Sequence, residues 1–284
     1  MCDKSYQLET LVNVDLCKYK NLLEILGYIL AVSIGVSLGL IGSGGSILTV
    51  PILVYLFAVK PQLATTYSLF IVGISAMIGS FNQYKIGNLQ IRSAAVFGFP
   101  SILSLLLVRK FVMPNIPIHL FSFLHFDFTK NTLIMLVFAI LMVAASISMI
   151  KKQKNTETTF KPKDSKLMII GFSVGIMTGF LGAGGGFLII PSLVFFAGLE
   201  MKKAVGTSLF IIAINALIGF MGDVFIGVEI DFQLLISLAT LSIGGIFIGT
   251  YLSKKIDGKK LKPAFGWFIM VMGIYIIVKE ILLK

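Results

Sequence analysis

The sequence predicts an all-α polytopic membrane protein made of two inverted repeats, each of about five helical segments. Three observations predict it. Apolar stretches at 68–79, 132–150, 204–222, 232–252 and 264–278 hold almost no charge, and a chain of 284 residues cannot bury all of them in one soluble core. A glycine motif, GLIGSGG at 39–45, returns as GFLGAGG at 179–185. Charged residues make up 13% of the chain and collect in short connections, against about 25% spread over an ordinary soluble domain.

The duplication runs well beyond the glycines, at a constant offset of 140. Gly35 pairs with Gly175, Pro51 with Pro191, Ala64 with Ala204, Ser68-Leu69-Phe70-Ile71 with Ser208-Leu209-Phe210-Ile211, and Gly79 with Gly219. From 35 to 79, 18 of 45 positions are identical in one register without a gap, which marks an internal repeat. The first repeat, 22–150, holds apolar segments near 22–41, 46–58, 62–81, 93–111 and 131–150, and the second, 166–284, holds them near 166–181, 186–199, 203–222, 232–252 and 264–283. A spanning helix needs about 20 residues. The second segment of each repeat has 13 or 14, roughly 20 Å of helix, begins directly after the glycines and contains a proline. Segments one and two of each repeat therefore read as a hairpin that turns on glycine inside the membrane. Residues 112–130 have no counterpart in the second repeat and read as an insertion. Residues 1–21 carry Asp3, Lys4, Glu9, Asp15, Lys18 and Lys20 without an apolar leader. They read either as a solvated tail or as a helix lying on the membrane, with Leu8, Leu11, Val12, Leu16 and Tyr19 on one side.

Loop charge sets the orientation. The linker at 151–165 and its continuation to 166 hold six lysines against two acids, and 254–262 holds five lysines against one, so both are expected on the cytoplasmic side. Residues 223–231 carry Asp223, Glu229 and Asp231 and no base, as an outer loop does. The segment at 203–222 then runs outward and its counterpart at 62–81 runs inward, which is what inverts the repeats. Arg109 and Lys110 run against this pattern, because they fall at the expected outer face.

The same residues exclude several functions. Cys2 and Cys17 lie near the start and form no Cys-x-x-Cys pair, and His119 and His125 are too few for a zinc centre; no metal or cofactor is expected. The net charge of +11 resolves into loop lysines and points to topology, not nucleic acid. There is no Gly-x-Ser-x-Gly elbow, and GSGGSIL lacks the Lys-Ser/Thr ending of a phosphate loop, so neither an enzyme nor an ATP-driven pump is expected.

What remains is a site built from backbone and hydroxyls. Non-helical backbone within a membrane must line a cavity or be covered by protein, and a helix N-terminus carries partial positive charge. Helices starting near Ser46 and Gly186 would aim N–H groups at the midplane, with Gly42, Ser43, Gly44, Gly45 and Gly182, Ala183, Gly184, Gly185 leaving room for a small anion. The competing reading is that these glycines only pack helices closely. Thr65, Thr66, Ser68, Thr207 and Ser208 open the third segments. Their hydroxyls either bind oxyanion oxygens or bond to their own preceding turn. Asn215, in an apolar segment, must face the bundle interior, toward substrate or toward another helix. Glu24, Glu200 and Asp223 lie near segment ends and read as interfacial, so the expected pocket has no buried cation, and no residue identifies a coupling ion, whether proton or sodium.

GLIGSGG and GFLGAGG, each followed by a proline at 51 or 191, together with AVGTSLF at 204–210, resemble the TauE/SafE sulfite exporter family of the TSUP anion transporter superfamily. The resemblance covers about 25–284. It implies a multi-pass transporter of the cell membrane, moving sulfur-containing anions such as sulfite, sulfoacetate or related sulfonates by alternating access, with possible oligomerisation. Tyr67 departs from the motif where the second repeat has Thr207. The alternatives are an anion channel, or a membrane scaffold without a small-molecule substrate.

The orientation is testable. In a background lacking Cys2 and Cys17, Glu157→Cys should react with an impermeant thiol reagent from the cytoplasmic side and Glu229→Cys from the opposite side. Labelling of both from one side removes the inverted arrangement.

Overall fold

In a computed structural model, the structure describes residues 10–42, 45–117, 119–123, 126–150, 164–182, 185–253 and 258–282. Its elements are α1 (Thr10–Ile41), α2 (Ser46–Tyr55), α3 (Pro61–Lys85), α4 (Ile91–Leu107), a π-helical turn (Val108–Val112), α5 (Met113–Asn115), β1 (His119–Phe123), β2 (Phe126–Thr129), α6 (Lys130–Ile150), α7 (Asp164–Leu181), α8 (Gly186–Phe196), α9 (Met201–Phe225), α10 (Phe232–Ser253) and α11 (Gly258–Leu282). Among the described residues, six helical spans are long and apolar enough to cross a membrane. Large side chains such as Phe99, Phe225, Ile169 and Phe247 stand exposed on their outer faces, as expected of surfaces that lipid covers.

One expectation changes. α1 runs unbroken from Thr10, so residues 10–21 continue the first segment. The insertion at 112–130 has a structure of its own. The helix ends at Asn115, just before Pro117, and the alternating aromatic run that follows pairs as an antiparallel ribbon, with Ser122 opposite Asp127 and Phe123 opposite Phe126. Period-two patterning favours strand over helix. The lysine linker at 151–163 and residues 254–257 lie outside the described residues.

Glycine decides how the helices meet. In lipid the hydrophobic effect does little to join apolar helices, and close backbone approach does more. A methyl added at Gly35 would lie 1.9 Å from the Ser242 carbonyl oxygen, and one at Gly39 would lie 2.6 Å from that of Ile246. From the other side, methyls added at Gly245 and Gly249 would each lie 2.2 Å from a carbonyl oxygen, of Val32 and Val36 respectively. Numbers rise together, so α1 and α10 are parallel. α7 packs on α4 the same way, with Gly171 on Phe97 O, Gly175 on Ser101 O and Gly179 on Leu105 O. Each repeat thus lends its first helix to the fourth helix of the other.

The third helices meet with opposite direction. A methyl at Gly79 would touch Leu209 at 3.3 Å, and one at Gly219 would touch Leu69 at 3.1 Å. These reciprocal pairs centre the crossing of α3 and α9 on Ile74 and Ile214, which are equivalent positions of the two repeats. The two equivalent helices therefore cross antiparallel at equivalent positions. α2 with α8 and α6 with α11 also pack as equivalent pairs. The start of α4 meets the start of α7 through Arg92 and Asp164 at 2.9 Å, and Gly42, past the end of α1, meets Val205 at the start of α9. The helix ends that bound both lysine-rich segments therefore emerge at one end of the bundle.

The short helices close alike. Val59 N–H donates to Leu53 O at 3.0 Å, and Leu199 N–H to Leu193 O at 3.2 Å, a pattern that places the intervening residue in the left-handed region. Gly198 occupies that place with φ 63°, but in the first repeat it is Ala58 with φ 52°. Both are exposed. Ala58→Gly should stabilise the protein by about 1 kcal/mol, and Gly198→Ala should cost a similar amount, measured by thermal unfolding in detergent. Equal midpoints for both variants would contradict this backbone assignment.

Candidate functional site

The seam between α3 and α9 carries the polar side chains that the apolar faces omit. At its centre, one residue past the crossing, the Ser75 and Ser242 hydroxyls lie 2.9 Å apart, and Asn215 Nδ2 donates to Ser101 Oγ at 2.6 Å. The two pairs are repeat equivalents. Asn215 stands where the first repeat has Ser75, and Ser101 and Ser242 each lie under an equivalent glycine, Gly175 and Gly35. All four are fully buried, and Asn215 Oδ1 has no hydrogen-bond partner. Asn215 does face the interior, and it bonds to another helix.

The glycine turns, whose helices the sequence aims at the midplane, do not meet at this centre. Gly42, with φ 82°, packs on Val205 of α9, while Gly182, with φ 66°, packs on Thr65 of α3. Thr66, the next residue, bonds Asp223 near the far end of α9. Val205 and Asp223 are 18 positions apart on one helix, about 27 Å. The reason is length: α7 alone has 18 residues, so each hairpin runs past the middle before turning. The chain then climbs back. A methyl at Gly45 would lie 2.2 Å from Ile34 O, and one at Gly185 would lie 1.9 Å from the Thr178 hydroxyl, so α2 and α8 begin nearer the central layer than the turns do. With no space for a methyl at Gly45 or Gly185, close packing is observed directly, and a leucine there would disturb packing as well as any site. Gly186 opens α8 and is buried, as is Ser46 at the start of α2, and Ser43, Gly44, Ala183 and Gly184 lie outside the described residues.

The predicted hydroxyls divide. Ser208 donates to Val205 O at 2.9 Å and Thr65 to Gln62 O at 2.7 Å, each within its own turn. Thr66 Oγ1 donates to Asp223 Oδ2 at 2.5 Å, and Thr207 Oγ1 accepts from Gln90 N–H at 3.0 Å. Ser68 Oγ is buried without a partner.

The pocket without a cation is corrected at one end of the seam. Arg109 and Asp223, 5% and 7% exposed, form a buried ion pair through Nη1 and Oδ2. Arg109 Nη2 also donates to Thr65 Oγ1 at 3.3 Å, and its Nε has no partner. Asp223 is therefore not an interfacial acid, whereas Glu200 is exposed beside Lys203. Arg109 sits in the π-helical turn, a local widening frequent at functional sites. At the opposite end the equivalents are neutral. Gln83 stands for Asp223 and accepts from Asn88 Nδ2 at 2.8 Å, and Gly206 stands for Thr66, where a methyl would lie 2.6 Å from Asn88 O. The sequence did hold a signal: a basic residue on the acidic face needs a partner to cancel it.

Residues 28–276 match the family model described as Sulfite exporter TauE/SafE. The chain belongs to the TauE/SafE family. Its relatives are named "Probable membrane transporter protein". One from Xylella fastidiosa strain 9a5c is 27% identical over 255 residues, covering 86% of this chain and 91% of its own. YdhB of Bacillus subtilis strain 168 is 22% identical over 247 residues, covering 86% and 96%. One from Methanocaldococcus jannaschii is 37% identical over 115 residues, covering 38% and 43%. No solved structure matches. As a member of the TauE/SafE family with six candidate spans, the chain is a multi-pass membrane transporter of the cell membrane.

Breaking a buried pair strands one charge. Arg109→Met should destabilise the protein by about 3–5 kcal/mol, and adding Asp223→Leu should recover most of that loss, read from denaturant unfolding in detergent. A double variant as unstable as the single would show that the pair's charge is not what the fold depends on there.

Proposed function

We propose that the chain is a secondary transporter, not an enzyme, that moves a small sulfur-containing oxyanion (sulfite, sulfoacetate or a related sulfonate) by alternating access. One observation supports it above the others. Buried polar groups run the length of the α3–α9 seam. Thr65 beside Gly182 and Thr66 on Asp223 stand at one end, Ser75, Ser101, Asn215 and Ser242 form the middle, and Thr207 accepts from Gln90 N–H at the other end. Intramembrane polar groups are retained mainly where they line a path or join helices. The family supplies the class of protein, and its designation as sulfite exporter makes sulfite the first anion to try.

In this reading the ligands are backbone N–H groups of the first turns of α2 and α8, with Gly42–Ser46 and Gly182–Gly186 shaping their approach. The hydroxyls of Thr65, Thr66, Ser68, Thr207 and Ser208 and the amide of Asn215 add side-chain contacts along the seam. An oxyanion accepts several hydrogen bonds at once, which suits N–H and O–H donors. A cation would be repelled by helix N-termini, and an apolar solute would leave the donors unpaired.

The test is a binding and flux screen of purified protein with sulfite, sulfoacetate, methanesulfonate, sulfate, thiosulfate, phosphate and simple carboxylates. A ligand of the folded state at 100 times its Kd adds about 2.7 kcal/mol of stability. A sulfur oxyanion should raise the unfolding temperature and exchange across proteoliposomes, and Asn215→Leu should weaken both effects. Stabilisation by none of these anions would favour a scaffold, and uninterrupted ohmic conduction would favour a channel.

A further inference from the structure

We propose that Arg109 is an anion-binding station at one end of the path, and that Asp223 occupies it until it is protonated, which couples the anion to a proton. The inference rests on the transporter reading above and adds the anchoring residue and the coupling ion.

The Asp223 carboxylate is itself a small oxyanion held by a donor set. It accepts from the Thr66 hydroxyl at 2.5 Å and from the Arg109 guanidinium, while Arg109 also reaches Thr65 and keeps its Nε unpartnered. Arg109 and Asp223 are both more than nine-tenths buried. A sulfonate or sulfite group offers the acceptors that the carboxylate offers, with one oxygen more for Nε. The station lies beside the Gly182 turn, because Thr65 packs against Gly182. The equivalent positions at the other end, Gln83 and Gly206, carry no charge, so the station exists at one end only.

Charge balance then dictates the exchange. With Asp223 ionised, the pair is neutral. A singly charged anion that takes Arg109 leaves the Asp223 carboxylate buried and unpaired, which is strongly unfavourable. A proton bonding to a carboxylate oxygen of Asp223 restores neutrality: Arg109 cation, bound anion, neutral carboxylic acid. The reverse step releases anion and proton together. No other described charge near the pair does this job. Lys110 is exposed beside the Phe111 ring, Lys130 of α6 donates to Met113 O, and Thr65 and Thr66 of α3 are neutral. In the loop after α9, the backbone N–H of Asp231 donates to the Tyr67 hydroxyl, and Glu229 is exposed. The charged residues of α7, Asp164 and Lys166, lie at its start, at the far end of the bundle, and α8 has none.

The experiment uses purified full-length protein in weakly buffered proteoliposomes with an entrapped pH dye and methanesulfonate as the singly charged probe. Wild type should move one proton with each methanesulfonate, independent of membrane potential, with half-saturation improving as the pH on the Arg109 side falls. Asp223→Asn should bind methanesulfonate independently of pH and carry it without proton movement. Arg109→Gln should weaken half-saturation about tenfold or more, the loss expected for a charged hydrogen-bonding partner. The Arg109→Gln/Asp223→Asn protein, neutral at both positions, separates loss of function from misfolding by its elution as a single species. Proton-coupled flux that persists in Asp223→Asn, or unchanged half-saturation in folded Arg109→Gln, overturns this inference and leaves the transporter reading intact. Wild type that moves neither methanesulfonate nor sulfite nor sulfoacetate overturns the transporter reading and this inference with it.

Discussion

Backbone-to-backbone contact between glycine stripes of opposite repeats holds the architecture together. Gly35 and Gly39 of α1 lock into Gly245 and Gly249 of α10, and Gly171, Gly175 and Gly179 of α7 lie on the carbonyls of α4. Side chains at these positions would separate the helices, and lipid would not push them back together. Because each stripe joins a first helix to the fourth helix of the other repeat, neither half can close its packing alone. The duplication is interlocked, and the α3–α9 crossing lies at its centre.

That closeness governs where polar groups can sit. The central layer is four neutral side chains bonded in two equivalent pairs, Ser75 with Ser242 and Asn215 with Ser101. Pairing reduces the cost of keeping them away from water. The symmetry fails at the ends. One end holds Asp223 and Thr66 bonded together beside the buried Arg109, where the other holds Gln83 and Gly206 in place of the aspartate and threonine. Two equivalent repeats packed antiparallel would by themselves give a bundle with equivalent ends, and these substitutions make the ends chemically different.

Much of the fold was legible because membrane helices announce themselves by length and by charge in their connections. The repeat gives the correspondence of elements, since an offset of 140 preserves register without a gap from 35 to 79. The short second helices were legible too, because thirteen or fourteen apolar residues bounded by glycine leave little alternative. The candidate site was less so. Thr65, Thr66 and Thr207 were singled out as one class of hydroxyl, yet one bonds its own turn, one an acid and one a backbone N–H. A sequence gives a hydroxyl's position along its helix. The partner it bonds depends on which neighbour stands opposite.

Read one segment at a time, the chain already specifies a duplicated, multi-pass helical membrane protein, because hydropathy, glycine spacing and charge are properties of short stretches. Two facts appear only when the helices are assembled. The glycine turns pass the centre and lie toward opposite ends, and Arg109 is neutralised by Asp223, 114 positions away. Both depend on how far each helix slides along its neighbours before glycine meets carbonyl. That is a property of two surfaces together, and no single segment contains it.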